Sequence, residues 1–334
     1  MRPEDLLHPR PEGLYCPVGD FHIDPVRPVA RALITHGHAD HARAGHKAVL
    51  ATRRTLDIMA LRYGADFAGT TQVAGRGTTQ VNGVTVSFHP AGHVLGSAQI
   101  RVAAKGMSAV VTGDYKRGVD PTAEPYEPVT GDVFVTEATF GLPVFRHPDP
   151  RAEIARLLTS LDQFPERAHM VGVYALGKAQ RVIRLIRDAG HDAPIYLHGA
   201  LQKLCDYYQS EGIALGRLEP ATADGDRARF AGRIVMAPPS AFAAKWAQRF
   251  PEPLICFASG WMQVRARARQ RGVELPLVIS DHCDWGELTA TITELDPGEV
   301  WVTHGREEAL VRWCALQGRA ARPLNLVGYE DEAE

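Results

Sequence analysis

Cysteine is scarce in this sequence: Cys16, Cys205, Cys256, Cys283 and Cys314 are five among 334 residues. None pairs as C-x-x-C and the number is odd, so neither a disulfide framework nor a zinc ribbon is expected, and a reducing, cytoplasmic setting follows as the default. An excess of one charge is also lacking. With 37 Lys and Arg against 39 Asp and Glu, the net charge is −2, so bulk charge names no partner and a nucleic-acid role has to rest on local basic patches. No apolar run approaches a membrane span, and the opening MRPEDLLHPR lacks the apolar stretch of a signal peptide, so no membrane partner is expected. There is no internal repeat and no low-complexity linker. What remains is an ordinary globular balance, 45% hydrophobic and 23% charged, in a chain long enough for one large domain or two. The acidic end, GYEDEAE, reads as a solvated tail.

The first 140 or so residues read as strands joined by loops: ARALITH, AVLAT, VNGVTVSFHPAGH with Asn82-Gly83 in a turn, AQIRVAA, SAVVTGD and DVFVTEA,. One helical stretch, RRTLDIMALRYG, interrupts them. From about residue 145 strand and helix alternate. DPRAEIARLLTSLDQF is a helix with Asp149 placed to cap it and Pro150 in its first turn,. MVGVYA leads to KAQRVIRLIRDAG, PIYLHG to ALQKLCDYYQSEG, and RIVMAPP to SAFAAKWAQRF, while PLICFASG and LPLVISDH are further strands. This alternation predicts a parallel sheet covered by helices. The end returns to helix, strand and helix in WGELTATITEL, EVWVTHG and REEALVRWCALQG. The expected organisation is α/β, with a cassette at 146–284 inserted between 1–145 and 285–334 of a strand-rich domain.

The densest chemistry is THGHADH at residues 35–41, directly after the apolar ARALI. His36 and His38 can project from one turn, and Asp40 and His41 follow as a second ligand pair. Neutral imidazole and carboxylate suit zinc and similar ions. One zinc takes about four ligands, so ligands fanning both ways suggest two metals. His93, Asp114 and His304 each lie at the end of an apolar strand, before glycine or a turn, and strand ends on one edge of a sheet can converge. Asp24, in FHIDP, reads as a carboxylate that orients a ligand histidine. His46, His89 and His198 read as structural or exposed. In VRARARQRG, Arg265, Arg267, Arg269 and Arg271 recur at every second residue. An extended segment would put them on one face and a helix would spread them. With Trp261 just upstream to stack on a base, they are candidates for tracking phosphates. Lys178 opens a helix whose N-terminus attracts phosphate.

Taken in order, THGHADH, GHVLGSA, TGDY, TEATFG, SDH and THGRE resemble the metallo-β-lactamase-fold nucleases that carry a β-CASP cassette, which include Artemis-type DNA nucleases, RNase J and the pre-mRNA cleavage and polyadenylation nuclease. YALGKAQRVIRLI resembles their cassette segment, with Lys178 where arginine is common. LYCPVGDFHIDP and VRARARQRGVELPLVISDH are similar to the bacterial ligase-associated DNA exonucleases. The resemblance implies a metallo-β-lactamase αββα sandwich with an inserted α/β β-CASP cassette that roofs the metal loops. It also implies roles for particular residues. His36, His38 and His93 would hold one metal, Asp40, His41 and His304 the other, and Asp114 would bridge them. Glu137, in TEATFG, matches the acidic residue at the cassette junction, and His282, in SDH, the histidine over the leaving group; Asp40 counts with them as catalytic. Ser97, Lys178, Arg265, Arg267 and Arg269 are the substrate-binding candidates.

The cofactors implied are two divalent ions, zinc, with manganese as the alternative. A bridging hydroxide would attack the phosphodiester in line, and His282, held by Glu137, would protonate the leaving oxygen. The expected function is a DNA exonuclease in DNA repair, preferring DNA to RNA and starting at the 5′ end, with a DNA ligase and a helicase as functional partners by resemblance alone. An RNA-processing β-CASP ribonuclease is the alternative. His304 does not separate the two, because the RNA-processing members and the ligase-associated group both keep histidine there. A small-molecule metallo-hydrolase has no need of the insert, TEATFG, GKAQR or SDH. A metal-free nucleic-acid-binding scaffold is at odds with ligand positions that are all filled.

Overall fold

The computed structural model describes residues 1–222, 227–250, 252–324 and 326, and the acidic tail lies outside the described residues. The chain forms two compact units. One comprises Met1–Arg146 with the stretch that begins at His282; the other is His147–Asp281. The return to the first unit comes at His282 rather than after residue 284, because His282 bonds to Glu137 and the Cys283 amide donates to the Tyr115 carbonyl, 2.9 Å.

The first unit contains two sheets. One runs in the spatial order His8–Arg10, Gly13–Cys16, Phe21–Ile23, Arg31–Leu33, His46–Ala51 and Ala68–Val73. The other runs Ala321–Pro323, Glu299–Gly305, Val133–Ala138, Met107–Val111, Ala98–Ala104, Val84–Pro90 and Thr78–Val81. Strand periodicity builds the layers, since neighbouring residues point to opposite faces. Leu33 and Leu50 of the first sheet join Val86, Ile100, Val102, Val111, Val133, Val135 and Trp301 of the second in one buried cluster between the sheets. The intervening residues Val110, Phe134, Val300 and Val302 face outwards and are covered by Leu288 and Ile292 of the helix Trp285–Leu295 and by Leu310 and Cys314 of Glu307–Leu316. On the other side Ala32, Ile34 and Val49 pack against Leu56 and Met59 of the helix Arg53–Tyr63. The result is the helix–sheet–sheet–helix sandwich expected of the resemblance. Asn82 and Gly83 turn the hairpin between Thr78–Val81 and Val84–Pro90 with φ of 48° and 84°, the left-handed pair that a two-residue hairpin favours.

The second unit is built on a six-stranded sheet in the order Leu218–Pro220, Ile195–Leu197, Ile234–Ala237, His169–Gly172, Leu254–Ala258 and Leu275–Leu277, parallel throughout. Its helices include Pro150–Gln163, capped by the Asp149 side chain on the Arg151 amide, Lys178–Asp188 and Gly199–Ser210. SAFAAKWAQRF is not the single helix its spacing predicts but two short 3₁₀ turns, Pro239–Ala243 and Ala247–Arg249. Pro238 and Pro239 start it tightly, and Trp246 turns into an aromatic cluster with His198 and Phe250, so tertiary packing overrides local periodicity. No described helix is long and apolar enough to cross a membrane.

Candidate metal centre and active site

In the second sheet of the first unit, Met107–Val111, Val133–Ala138 and Glu299–Gly305 run parallel, and Val84–Pro90 shares their direction through two antiparallel steps. Their C-terminal ends therefore lie on one edge, and they deliver His93, Asp114, Glu137 and His304 there. The loop after Arg31–Leu33 supplies THGHADH and is tied to the same edge by the Ala98 amide, which donates to the Thr35 carbonyl at 2.9 Å. His304 has a φ of 57°, a conformation that costs a non-glycine residue free energy and persists where its surroundings impose it. Gly305 follows with φ of 90°, and a Cβ there would run into the Ala138 carbonyl.

Asp24 organises the histidines from behind. One carboxylate oxygen accepts the Thr35 amide at 2.7 Å; the other accepts the Thr35 hydroxyl at 2.5 Å and His41 Nδ1 at 2.8 Å. Because the Thr35 hydroxyl donates to a carboxylate, its oxygen is left to accept from His36 Nδ1, 3.0 Å away. In the neutral rings, these bonds put the protons of His36 and His41 on Nδ1 and leave Nε2 of each as a lone pair. His36 Nε2 lies 3.2 Å from His38 Nδ1, which lies 3.1 Å from His93 Nε2. Nitrogens about 2.0–2.1 Å from a tetrahedral ion sit about 3.3 Å apart, so this spacing fits one shared cation. Asp114 Oδ2 completes the set, 3.4 Å from His36 and 3.7 Å from His93. The same oxygen is 3.5 Å from His41 Nε2, and Asp114 Oδ1 is 3.7 Å from His304 Nδ1. Asp40 approaches this second group 3.6 Å from His41 Nε2. The residues present thus fit two ions that share one carboxylate.

The electrostatics point the same way. Burial, then His41, His93 and His38, push the His36 ring well below the usual imidazole range. Burial and His41 push His304 down to about 3. Burial pushes the Asp114 carboxyl up. For His41, burial opposes the charged ring but is outweighed by Asp114, Asp40 and Asp24, which raise it to about 10. His36 and His304 are thus held as neutral imidazoles, the form that can ligate a cation, whereas His41 is charged by the carboxylates around it, a positive charge that a bound cation would replace,.

Beside the donors, His282 Nδ1 donates to Glu137 Oε2 at 2.9 Å. Glu137 is fully buried and also accepts the Tyr115 amide, 2.8 Å, and the Thr139 hydroxyl, 2.5 Å. The His282 ring packs against the His93 ring at a tilt of 54°, with centroids 4.7 Å apart.

The structure thus brings His36, His38, Asp40, His41, His93, Asp114, Glu137, His282 and His304 together in the first unit, with Asp24 behind them. The substrate-binding candidates fare differently. Ser97 is buried, and its hydroxyl oxygen accepts the His93 and Val94 amides, both at 3.2 Å; it shapes the His93 turn. Lys178, 2% exposed, gives its ammonium to Asp281 at 2.5 Å and to the Ile279 carbonyl at 3.0 Å, so its charge is spent inside the second unit. The arginine run is the helix Arg265–Gln270. Arg265 and Arg269 are exposed one turn apart, whereas the Arg267 guanidinium covers the Trp261 ring at 4.1 Å, which takes up the ring face expected to stack on a base. Thr35, Thr139 and the Tyr115 main chain were not singled out from the sequence. Thr35 and Thr139 do stand inside THGHADH and TEATFG, but nothing in the pattern marks hydroxyl relays.

No family model matches the sequence. A protein of Opitutus terrae described as a probable DNA ligase is 27% identical over 315 residues, which are 90% of this chain and 30% of that protein. An RNase J-like protein of Methanocaldococcus jannaschii is 26% identical over 212 residues, 54% of this chain and 50% of its own length. The chain therefore spans half or less of these relatives. The crystal structure of a protein of unknown function from Enterococcus faecalis V583 shares the fold, with a TM-score of 0.56 and 13% identity over 88% of this chain and 79% of that one. Its motifs in order, its sandwich interrupted by a parallel α/β unit and its similarity to these relatives are consistent with the metallo-β-lactamase fold carrying a β-CASP cassette.

Proposed function

We propose that this chain is a metal-dependent phosphodiester hydrolase acting on nucleic acid, and within that class an exonuclease on DNA with a free end, working in repair. The observation that carries the reading is the sharing of Asp114 between two histidine groups, with the His282–Glu137 pair alongside. His36, His38, His93 and Asp114 would hold one divalent ion, and Asp40, His41, His304 and Asp114 a second; zinc suits the imidazole-rich donors, and manganese could replace it. When bound, such a pair supplies Lewis-acid polarisation of a phosphodiester and a nucleophilic water at neutral pH. The chain's own residues do the rest. Asp24 and Thr35 hold the ligand tautomers. Glu137 holds the His282 proton on Nδ1, so that the protonated ring can pass its Nε2 proton to the leaving oxygen.

The similarity to the ligase-described protein along 90% of the chain supports the DNA reading, and the similarity to an RNase J-like protein supports RNA as the second reading. The test is single-stranded DNA and RNA of one sequence, labelled in turn at each end, with and without a 5′-phosphate. DNA is expected to shorten faster than RNA, from the 5′ end. Faster RNA cleavage would establish the second reading, because discrimination has to come from contacts at the 2′ position rather than from the reacting phosphodiester. Cuts within a circular single strand would overturn the exonuclease mode alone.

Strand binding is expected to draw on Arg265 and Arg269. Replacing both with Gln should weaken DNA binding and flatten its salt dependence by a slope of about 1 to 2, since each lost phosphate contact releases fewer counterions. Arg267→Gln should change the slope less, because that guanidinium rests on Trp261. An unchanged slope in the double variant would return the run to a solvated surface.

A further inference from the structure

The Tyr115 main chain closes a ring around the His282–Glu137 pair. Its amide donates to Glu137 Oε1 at 2.8 Å; Glu137 Oε2 receives His282 Nδ1 at 2.9 Å; and the Cys283 amide, one residue on, returns to the Tyr115 carbonyl at 2.9 Å. Tyr115 is also the residue after Asp114, so the ring fastens His282 to the carboxylate shared by both donor groups. A ring of this kind holds only if the loop after Asp114 and the chain after His282 keep their spacing.

A second set of bonds spans those two segments. Glu287 sits in the first turn of Trp285–Leu295 and forms a capping box with Asp284: the Glu287 amide donates to Asp284 Oδ1 at 3.0 Å and the Asp284 amide to Glu287 Oε2 at 3.1 Å. A cap asks no more of it. Yet the same carboxylate also receives the Lys116 ammonium at 2.5 Å and the Gly118 amide at 2.8 Å, both from the loop after Asp114. Lys116 is 8% exposed. Its amide donates to the Ala91 carbonyl at 2.9 Å, and a Cβ on Gly92 would run into its own carbonyl; Gly92 precedes His93. One lysine thus ties together the loops of His93 and Asp114 and the helix that follows His282.

We propose that Lys116 and Glu287 are positioning residues that clasp His282 at the distance from the donor groups at which it can protonate the leaving oxygen. The inference rests on the leaving-group role given to His282 above. Their charges pair with each other.

The test uses the full metal-loaded chain and compares Glu287→Gln, Lys116→Met, His282→Ala and the double variants with His282→Ala. Bound metal, kcat and KM are read on DNA and on a nitrophenyl phosphodiester, whose leaving group needs no proton. Each clasp variant should keep its metal and its KM. Its kcat on DNA should fall on the order of 10²-fold, as misplacement by about an ångström does, and less on the nitrophenyl ester. In the His282→Ala background, either substitution should change kcat by less than about twofold, because residues that act through one another are not additive. Full additivity, equal loss on both substrates, or wild-type kcat would overturn the clasp. Lys116→Met leaves the Asp284–Glu287 cap in place, so it carries the test if Glu287→Gln does not fold. Equal loss on both substrates in His282→Ala itself sinks the leaving-group role; a leaving-group effect in His282→Ala that the clasp variants lack sinks the clasp alone.

Discussion

Asp114→Ala is expected to strip the protein of most of its bound metal and to abolish cleavage. The reason is geometric. One carboxylate lies between the His36–His38–His93 group and the His41–His304 group, with Oδ2 at 3.4, 3.7 and 3.5 Å from His36, His93 and His41 and Oδ1 at 3.7 Å from His304. Removing it takes an anionic donor from both groups at once and leaves the first with neutral imidazoles alone, which hold a divalent ion less well than a set that offsets its charge. His38→Ala opens only the first group, through the loss of Nδ1, and should lose about one ion where Asp114→Ala loses more. Elemental analysis of gently purified protein checks both, with about two ions per chain expected in the unaltered protein if each group holds one. A value near zero in the unaltered protein, unchanged after metal addition, would sink the two-metal reading and revive the metal-free scaffold. Full metal retention in Asp114→Ala would mean that the two groups do not share this carboxylate.

How far the site could be read from the sequence follows from how its parts are distributed along the chain. THGHADH is legible because its donors are local, and an apolar strand followed by a polar turn announces where a sheet edge lies. His93, Asp114 and His304 are legible one at a time as polar ends of apolar strands, but nothing local says that their strands share a direction and so an edge. The pairing of Glu137 with His282 crosses 145 residues and is visible in the sequence only through resemblance. Lys178 shows the converse. A lysine opening a helix reads as a phosphate contact, and only the folded chain shows Asp281, a hundred residues away, neutralising it. Ser97 likewise looks like a polar group offered to substrate until its oxygen is found holding the His93 turn. The layers of the sandwich were legible through the resemblance, since VFV in Val133–Ala138 and VWV in Glu299–Gly305 are continuous apolar runs whose two faces only the folded chain separates. The 3₁₀ turns after Pro238 were not, because apolar spacing cannot separate a helix from a proline-started coil drawn into an aromatic cluster.

His282→Ala should part company with the ligand variants. Metal content should stay at the level of the unaltered protein, because the His282 ring is bonded through Nδ1 to Glu137 and the two donor groups are complete without it. On DNA, kcat should fall by roughly 10²–10⁴-fold, the range for lost general-acid catalysis, with KM little changed because the ring is not asked to bind the strand. On a nitrophenyl phosphodiester the loss should be much smaller, since a leaving group of low pKa departs without a proton. Glu137→Gln should share the pattern. The amide keeps one acceptor oxygen, which the Tyr115 N–H and His282 Nδ1 must then share while the Thr139 hydroxyl oxygen accepts from its nitrogen, and it removes the charge that favours the protonated ring,. Loss of metal in either variant would make His282 or Glu137 a ligand rather than a proton donor and its support. Equal losses on both substrates, with metal intact, would leave the leaving oxygen to be stabilised by some other group and reduce His282 to a structural histidine in the loop after Leu275–Leu277.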